Sequence, residues 1–333
     1  MLPWFLAVAA LANLAYPMYV HYNFSHSLDT RSYLRMASGR FDSVNVTRRY
    51  RVLVPGAAAI IAAPMARTYA RIWPQRPAGQ WPLRFAFYLV NCLLLGAAGA
   101  CWFNSARQAG AAPTAAALAM LAVLSSRWAE YAAGLPLTDS LYLLVFGLGY
   151  YAVRHGPGGG WALALALLLG PLAKESFLLL VPWLLWFGRP ALAWPRQLAA
   201  LAGGLVLLFA VHHALDSRLG TPAGQSVSNA LSHLDNLAYS LHRAASPKGL
   251  GELLSVFGLF TLIPPLALWW QRHLAASSNI FSALGGADTG LVVIVGVHML
   301  LSGDLGRMGY LAAPIFCTLL ALVFTHWRRL LRG

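Results

Sequence analysis

Asp29, Arg31, Arg35, Arg40, Asp42, Arg48, Arg49 and Arg51 fall between His26 and Pro55, in a chain of which only 10% is charged. They directly follow an apolar first segment. A lipid-embedded chain keeps such a cluster where water or a charged ligand meets it. A carboxylate in that position can take a proton from an attacking hydroxyl. The arginines carry planar forks of donors that match a phosphate. The expectation is that Asp29 is an acid/base residue and that the arginines, Arg49 and Arg51 above all, hold a lipid phosphate. The plainer readings are a helix N-cap for Asp29 and snorkelling to headgroups for the arginines.

Other candidates lie downstream. Asp139, with Glu130 before it, sits at the mouth of a later apolar segment. It could orient an acceptor, assist proton transfer or bind a divalent metal, or simply cap the helix that follows. A metal is compatible with these acids but is not required by them. Lys174 and Glu175 interrupt an apolar run directly after Gly170 and Pro171. Lys174 can meet a phosphate as a point charge, and Glu175 is its structural alternative partner. Asp304 and Arg307, three apart, can pair with each other or meet substrate. His212, His213, His233 and His242 lack metal-ligand spacing and read as polar loop residues. No P-loop, GxSxG or HExxH motif occurs. Cys92, Cys101 and Cys317 lie in apolar stretches and read as small core residues.

What positions these residues is a series of apolar segments. The 333 residues are 59% hydrophobic and 10% charged, where soluble domains carry about 25% charged residues. The expected fold is an all-α polytopic membrane protein, one integral membrane domain over 1–333 with about ten transmembrane helices. The expected spans are 2–20, 83–103, 113–124, 137–153, 161–187 (a hairpin of two short helices or one broken helix), 198–214, 250–270, 288–302 and 311–327. Two large loops separate them, 21–82 and 216–249. In the first, Ser27 or Asp29 caps a short helix ended by Gly39, which puts Asp29 and Tyr33 on one face. Val52 to Met65, flanked by arginines, reads as an interfacial or half-inserted helix. The formal net charge of +14 points to anionic lipid or phosphate partners rather than nucleic acid.

Cytoplasmic loops favour Lys and Arg. With a cytoplasmic N-terminus and a 161–187 hairpin, Arg107, Arg154, Arg189, Arg196, Arg272, Arg328, Arg329 and Arg332 fall inside. Asp29, Asp42, Glu130, Asp139, Glu175, Asp216, Asp235, Glu252 and Asp304 fall outside. If instead 52–65 spans and 161–187 is one helix, Glu130 and Asp139 move to the side away from Asp29. Charge does not separate the two.

The first loop resembles the GT-C superfamily of polyprenyl-phosphate-dependent glycosyltransferases. Asp29, Tyr33 and Ala37 fit its Asp-x-x-x-Tyr-x-x-x-Ala pattern after the first span. Arg-Tyr-Arg-Val-Leu-Val-Pro at 49–55 resembles the entry to its membrane-hugging helix. Leu-Thr-Asp-Ser-Leu at 137–141 resembles its second acidic position, and Ala-Lys-Glu-Ser at 173–176 its basic hairpin turn. The resemblance implies an inverting transfer on the non-cytoplasmic side, from a polyprenyl-phosphate sugar to a lipid, glycan or protein acceptor. It implies catalytic roles for Asp29 and Asp139 and donor-phosphate binding by Arg49, Arg51, Lys174 and Arg307. Tyr33, Glu130, Glu175 and Asp304 are then expected at the acceptor or substrate. The Ala-, Gly- and Arg-rich composition points to a bacterial inner membrane. A transporter or flippase of a lipid-linked sugar would use the same arginines and need no catalytic carboxylate; a non-catalytic membrane subunit is the third reading.

Overall fold

The computed structural model describes residues 1–24, 27–76, 80–220, 228–273 and 281–330. The side chains of 228–235, 272–273 and 328–330 lie outside that description, and with them His233, Asp235, Arg272, Arg328 and Arg329, as does Arg332. The described residues form helices and no strand. Apolar segments in lipid must satisfy every backbone polar group internally, and helices do so.

In chain order the helices are α1 (Leu2–Leu14), α2 (Tyr16–His21), α3 (Leu28–Ala37), α4 (Val46–Arg49), α5 (Leu53–Ile72) and α6 (Trp81–Gln108). Next come α7 (Pro113–Leu124), α8 (Arg127–Gly134), α9 (Asp139–His155), α10 (Gly160–Ala173), α11 (Val181–Phe187) and α12 (Trp194–Leu219). The last are α13 (Ser228–Ala244), α14 (Pro247–Leu254), α15 (Ile263–His273), α16 (Gly286–Ser302), α17 (Leu305–Gly309) and α18 (Ala313–Leu330).

Five helical runs among the described residues are long and apolar enough to cross a membrane: Leu2–His21, Trp81–Gln108, Asp139–Ala173, Trp194–Leu219 and Leu305–Trp327. Pro247–Leu254 and Gly258–Gln271 pass the same test only together, as a pair bent by 96°, which makes either a broken sixth span or a re-entrant loop. Pro113–Leu124 and Gly286–Ser302 are shorter apolar helices. The run Asp139–Ala173 is not straight. A straight helix of that length would be about 50 Å long, well beyond the hydrocarbon core. It folds back at Gly156–Gly159, and α10 packs along α9. Gly156 supplies the positive φ of 63° that the turn needs. Outward-facing apolar side chains on α12, such as Val206 and Phe209, are exposed and suit contact with lipid tails.

The 161–187 stretch is a hairpin. α10 ends where Lys174 turns extended, and a 3₁₀ turn over Glu175–Leu179 leads into α11. The two legs touch again far from the tip: a Cβ on Gly160 would meet the Ala191 carbonyl at 2.8 Å, and one on Gly188 would meet the Leu163 side chain at 2.5 Å. Pro171 and the Lys174–Glu175 pair explain the break, because proline cannot donate and ions do not stay in a lipid-facing helix.

Two expectations need correction. The interfacial helix foreseen over Val52–Met65 runs on to Ile72, through Pro64. The stretch foreseen as a loop over 216–249 is largely helical: α12 extends to Leu219, α13 begins at Ser228 and α14 at Pro247. The α13 pattern is strongly amphipathic, and it packs on α16. Polarity alone marks this stretch as loop; helical periodicity is the better guide.

Buried polar groups fix how the helices meet. Asn91, in the middle of α6, is fully buried. Its amide nitrogen donates to the Leu135 and Leu137 carbonyls at 2.8 and 3.3 Å, and its oxygen accepts from the Ser140 hydroxyl. It thereby sets the entry of α9, whose first residue is Asp139. At the other end of the bundle Arg154 pairs with Asp288 and also reaches the Ala283 carbonyl at 2.7 Å. Asn91→Leu strips partners from two buried carbonyls and a hydroxyl, so it is expected to cost about 1–3 kcal/mol. Thermal unfolding of the purified protein in detergent checks this.

Candidate functional site

The first turn of α3 is fixed locally. Ser27 caps the helix by accepting from the Thr30 amide at 3.4 Å, and Gly39 follows its end at φ 77°. Asp29 therefore lies in the first turn, where the helix dipole favours a carboxylate. Asp139 is likewise the first residue of α9. Arg307 rises from α17, whose N-cap is Asp304.

These three elements converge. Arg307 Nη1 lies 3.2 Å from Asp29 Oδ2, while its Nε and Nη2 both donate to Asp139 Oδ2, Nε at 3.1 Å. One guanidinium thus clamps carboxylates from helices far apart in the chain. Arg48 donates to the remaining oxygen of Asp29, and Lys174 Nζ stands 3.9 Å from Asp139 Oδ1. Asp29 and Asp139 share one rim, so the arrangement that separates them is excluded.

A second cation adjoins this cluster. Arg51 forks onto both oxygens of Glu175 and donates to the Tyr33 hydroxyl at 3.0 Å. Tyr33 in turn accepts from Thr138 at 3.3 Å, which connects α3 to the entry of α9. Lys174 is largely buried, 3.6 Å from Met308 Sδ and over the Tyr142 ring at 5.5 Å. Below it Tyr142, Ser176 and His298 form a buried network: Ser176 donates to Tyr142 at 3.2 Å, and Tyr142 meets His298 Nε2 at 2.7 Å.

Electrostatics follow from these neighbours. Burial opposes ionisation of Asp29, but Arg307 and Arg48 outweigh it and hold the carboxyl below its usual range. Burial pushes Lys174 down to about 8; Asp139 resists that shift while Arg307 and Arg51 add to it. Asp29 is therefore an anion at neutral pH, and Lys174 can lose its proton near physiological pH.

Not every expected residue joins. Asp304 contributes no ion pair to Arg307: its carboxylate accepts the Arg307 backbone N–H at 3.0 Å as a cap, which aims the guanidinium elsewhere. Glu175 pairs with Arg51 rather than Lys174. Glu130 lies partly buried on α8 with no ion pair among the described residues, and burial raises its carboxyl. Arg49 faces a different acid, Asp216, at 3.9 Å, and its Nε and Nη1 are buried without a hydrogen bond.

Several residues at the site are not singled out by the sequence. Arg48 is one arginine among many. Tyr50 donates to Asp216 at 2.9 Å and stacks on His212 at 3.4 Å, bringing the end of α12 to the first loop. His212 and Asp216, four apart, could have been read as one helical face. Tyr50, His212, Arg51, Lys174, Glu175 and the apolar Pro171, Leu172 and Leu208 line an open cavity of about 480 Å³. No group of three or more His, Cys, Asp or Glu is arranged to hold a metal among the described residues. The Arg307 guanidinium occupies the place between Asp29 and Asp139 that a bridging cation would take.

Comparison with family models, curated proteins and solved structures finds no match.

Arg307→Met leaves two carboxylates without their shared cation and is expected to cost about 3 kcal/mol. Asp139→Asn in that background recovers part of the loss. A double-mutant cycle read by thermal unfolding in detergent checks both, with a coupling of about 1–3 kcal/mol.

Proposed function

We propose that the protein is an integral membrane glycosyltransferase of the GT-C type, which moves a sugar from a polyprenyl-phosphate donor to a hydroxyl acceptor outside the cytoplasm. The observation that carries this reading is the juxtaposition of Asp29 and Asp139 with Arg51, Lys174 and Arg307, beside a largely apolar cavity. Such a place suits an amphiphile with a phosphate head and a hydrocarbon tail.

In this reading the acceptor oxygen attacks the anomeric carbon from the face opposite the phosphate, and configuration inverts. The bond between that carbon and the phosphate oxygen breaks, and polyprenyl phosphate leaves with the electron pair. The acceptor proton passes to the Asp29 carboxylate. Arg51, Lys174 and Arg307 stabilise the charge growing on the leaving phosphate. Asp139 orients Lys174 and Arg307. Asp29 clamped by two arginines is a weak base. A phosphate that draws Arg307 away would raise its basicity at the moment it is needed.

The proposed topology has about ten traverses. α9, α11, α15 and α18 leave the rim that carries the site, and α10, α12 and α16 return to it. With α1–α2, α6 and α7 these make the ten. α5 is read as membrane-hugging, because both ends meet the same rim: it starts beside Arg51, and Tyr69 near its end meets Tyr19 and Arg76. A bacterial inner membrane, with the site on the extracytoplasmic face, is part of the proposal.

A panel of polyprenyl-phosphate sugars with the purified protein tests this. Asp29→Asn is expected to lower transfer by about 10²–10⁴-fold while donor binding persists. Unchanged transfer would sink the mechanism, and transport without any transfer would favour the flippase. Lys174 is protonated and phosphate-binding below its pKa and neutral above it. kcat/KM is therefore expected to fall as pH rises through about 8, and Lys174→Arg should move that fall to higher pH.

A further inference from the structure

α3 has two polar faces. Asp29 and Tyr33 point at the clamp; Arg31 and Arg35, also four apart, point away from it. Like charges at that spacing destabilise a helix by a few tenths of a kcal/mol, so a helix chosen for stability alone would not keep both. Their face opens on a separate cavity of about 350 Å³, lined by Arg31, Arg35, Arg40, Arg84, Gln80 and apolar residues including Phe24.

No acid lines this cavity. The sequence has ten acids, and ion pairs hold six of them elsewhere: Asp29 on Arg48 and Arg307, Asp139 on Arg307 and Lys174, Asp216 on Arg49, Glu175 on Arg51, Glu252 on Arg243, and Asp288 on Arg154. Asp42, the nearest acid in sequence to Arg40, is exposed, and no ion pair joins it to these arginines among the described residues. Two of the guanidiniums are nonetheless held in place. Arg84 is sandwiched against Phe24 at 3.8 Å and Trp81 at 4.9 Å, and its Nε is buried without a hydrogen bond. Arg35 donates to the Ser43 carbonyl at 3.2 Å.

We propose that this cavity is a second anion site, separate from the carboxylate clamp, that binds one phosphate-type oxyanion through Arg31, Arg35, Arg40 and Arg84. A phosphate has enough acceptor oxygens for several guanidinium forks at once. Arg84 and Trp81 open the apolar helix α6, at the depth where lipid headgroups lie. The oxyanion is therefore the phosphodiester of an anionic lipid or a phosphate from solution. The site does not depend on the glycosyltransferase reading.

The full chain in nanodiscs tests it. In phosphatidylcholine discs doped with phosphatidylglycerol, native mass spectrometry should find wild type retaining one more phosphatidylglycerol than Arg31→Gln/Arg35→Gln. In pure phosphatidylcholine discs, inorganic phosphate is titrated against the same pair. Saturable binding weakened about tenfold or more in the variant, which corresponds to the loss of one charge-assisted contact, assigns the site to soluble phosphate. Both substitutions sit on an exposed face, and matched thermal unfolding confirms the comparison; Arg40→Gln serves as the independent variant. Equal lipid retention together with equal or absent phosphate binding in wild type and variants overturns the proposal.

Discussion

Everything at the candidate site depends on one guanidinium. Arg307 meets Asp29 and Asp139 together, 278 and 168 residues away along the chain. Two carboxylates this close would repel without a cation between them, and at an apolar rim the repulsion is poorly screened. The clamp therefore aligns α3, α9 and α17 as one unit. Burying charge is costly, and an ion pair recovers that cost only when its geometry is good.

The clamp is also held from behind. Asn91 sets the entry of α9, Ser27 caps α3, and Asp304 caps α17, so each partner of Arg307 starts a helix whose first turn is separately fixed. The hairpin tip then adds Lys174, and Arg51 adds a second cation whose hold on Tyr33 connects it to the clamp. Positioning of this kind gives a reactive centre little freedom to reorganise.

Much of this was legible from residue types. Asp139 and Lys174 stand out because ions beside or inside apolar sequence are costly, Asp29 because it sits among arginines after the first apolar segment, and Arg307 by its spacing to Asp304; the structure brings all four together. Pro171 marked a break because its physics is local, but whether that break is a kink or a hairpin turn was not legible, since only tertiary packing decides it. What could not be read is who pairs with whom. Arg48 and Arg49 are neighbours in sequence, yet one meets Asp29 and the other Asp216. Asp304 and Arg307 looked like an ion pair by spacing, but the carboxylate serves the backbone instead. Pairing is decided by tertiary approach, to which spacing along a loop is blind. The helical character of 228–244 was concealed by polarity, although its period was there to be counted.

A structure of the protein with a polyprenyl phosphate bound tests the central claim most directly. The account predicts the phosphate between Arg51, Lys174 and Arg307, with Arg307 drawn away from Asp29 and the tail along Leu172 and Leu208. A phosphate bound at the opposite rim, or bound with the Arg307 clamp on both carboxylates intact and untouched, would contradict it.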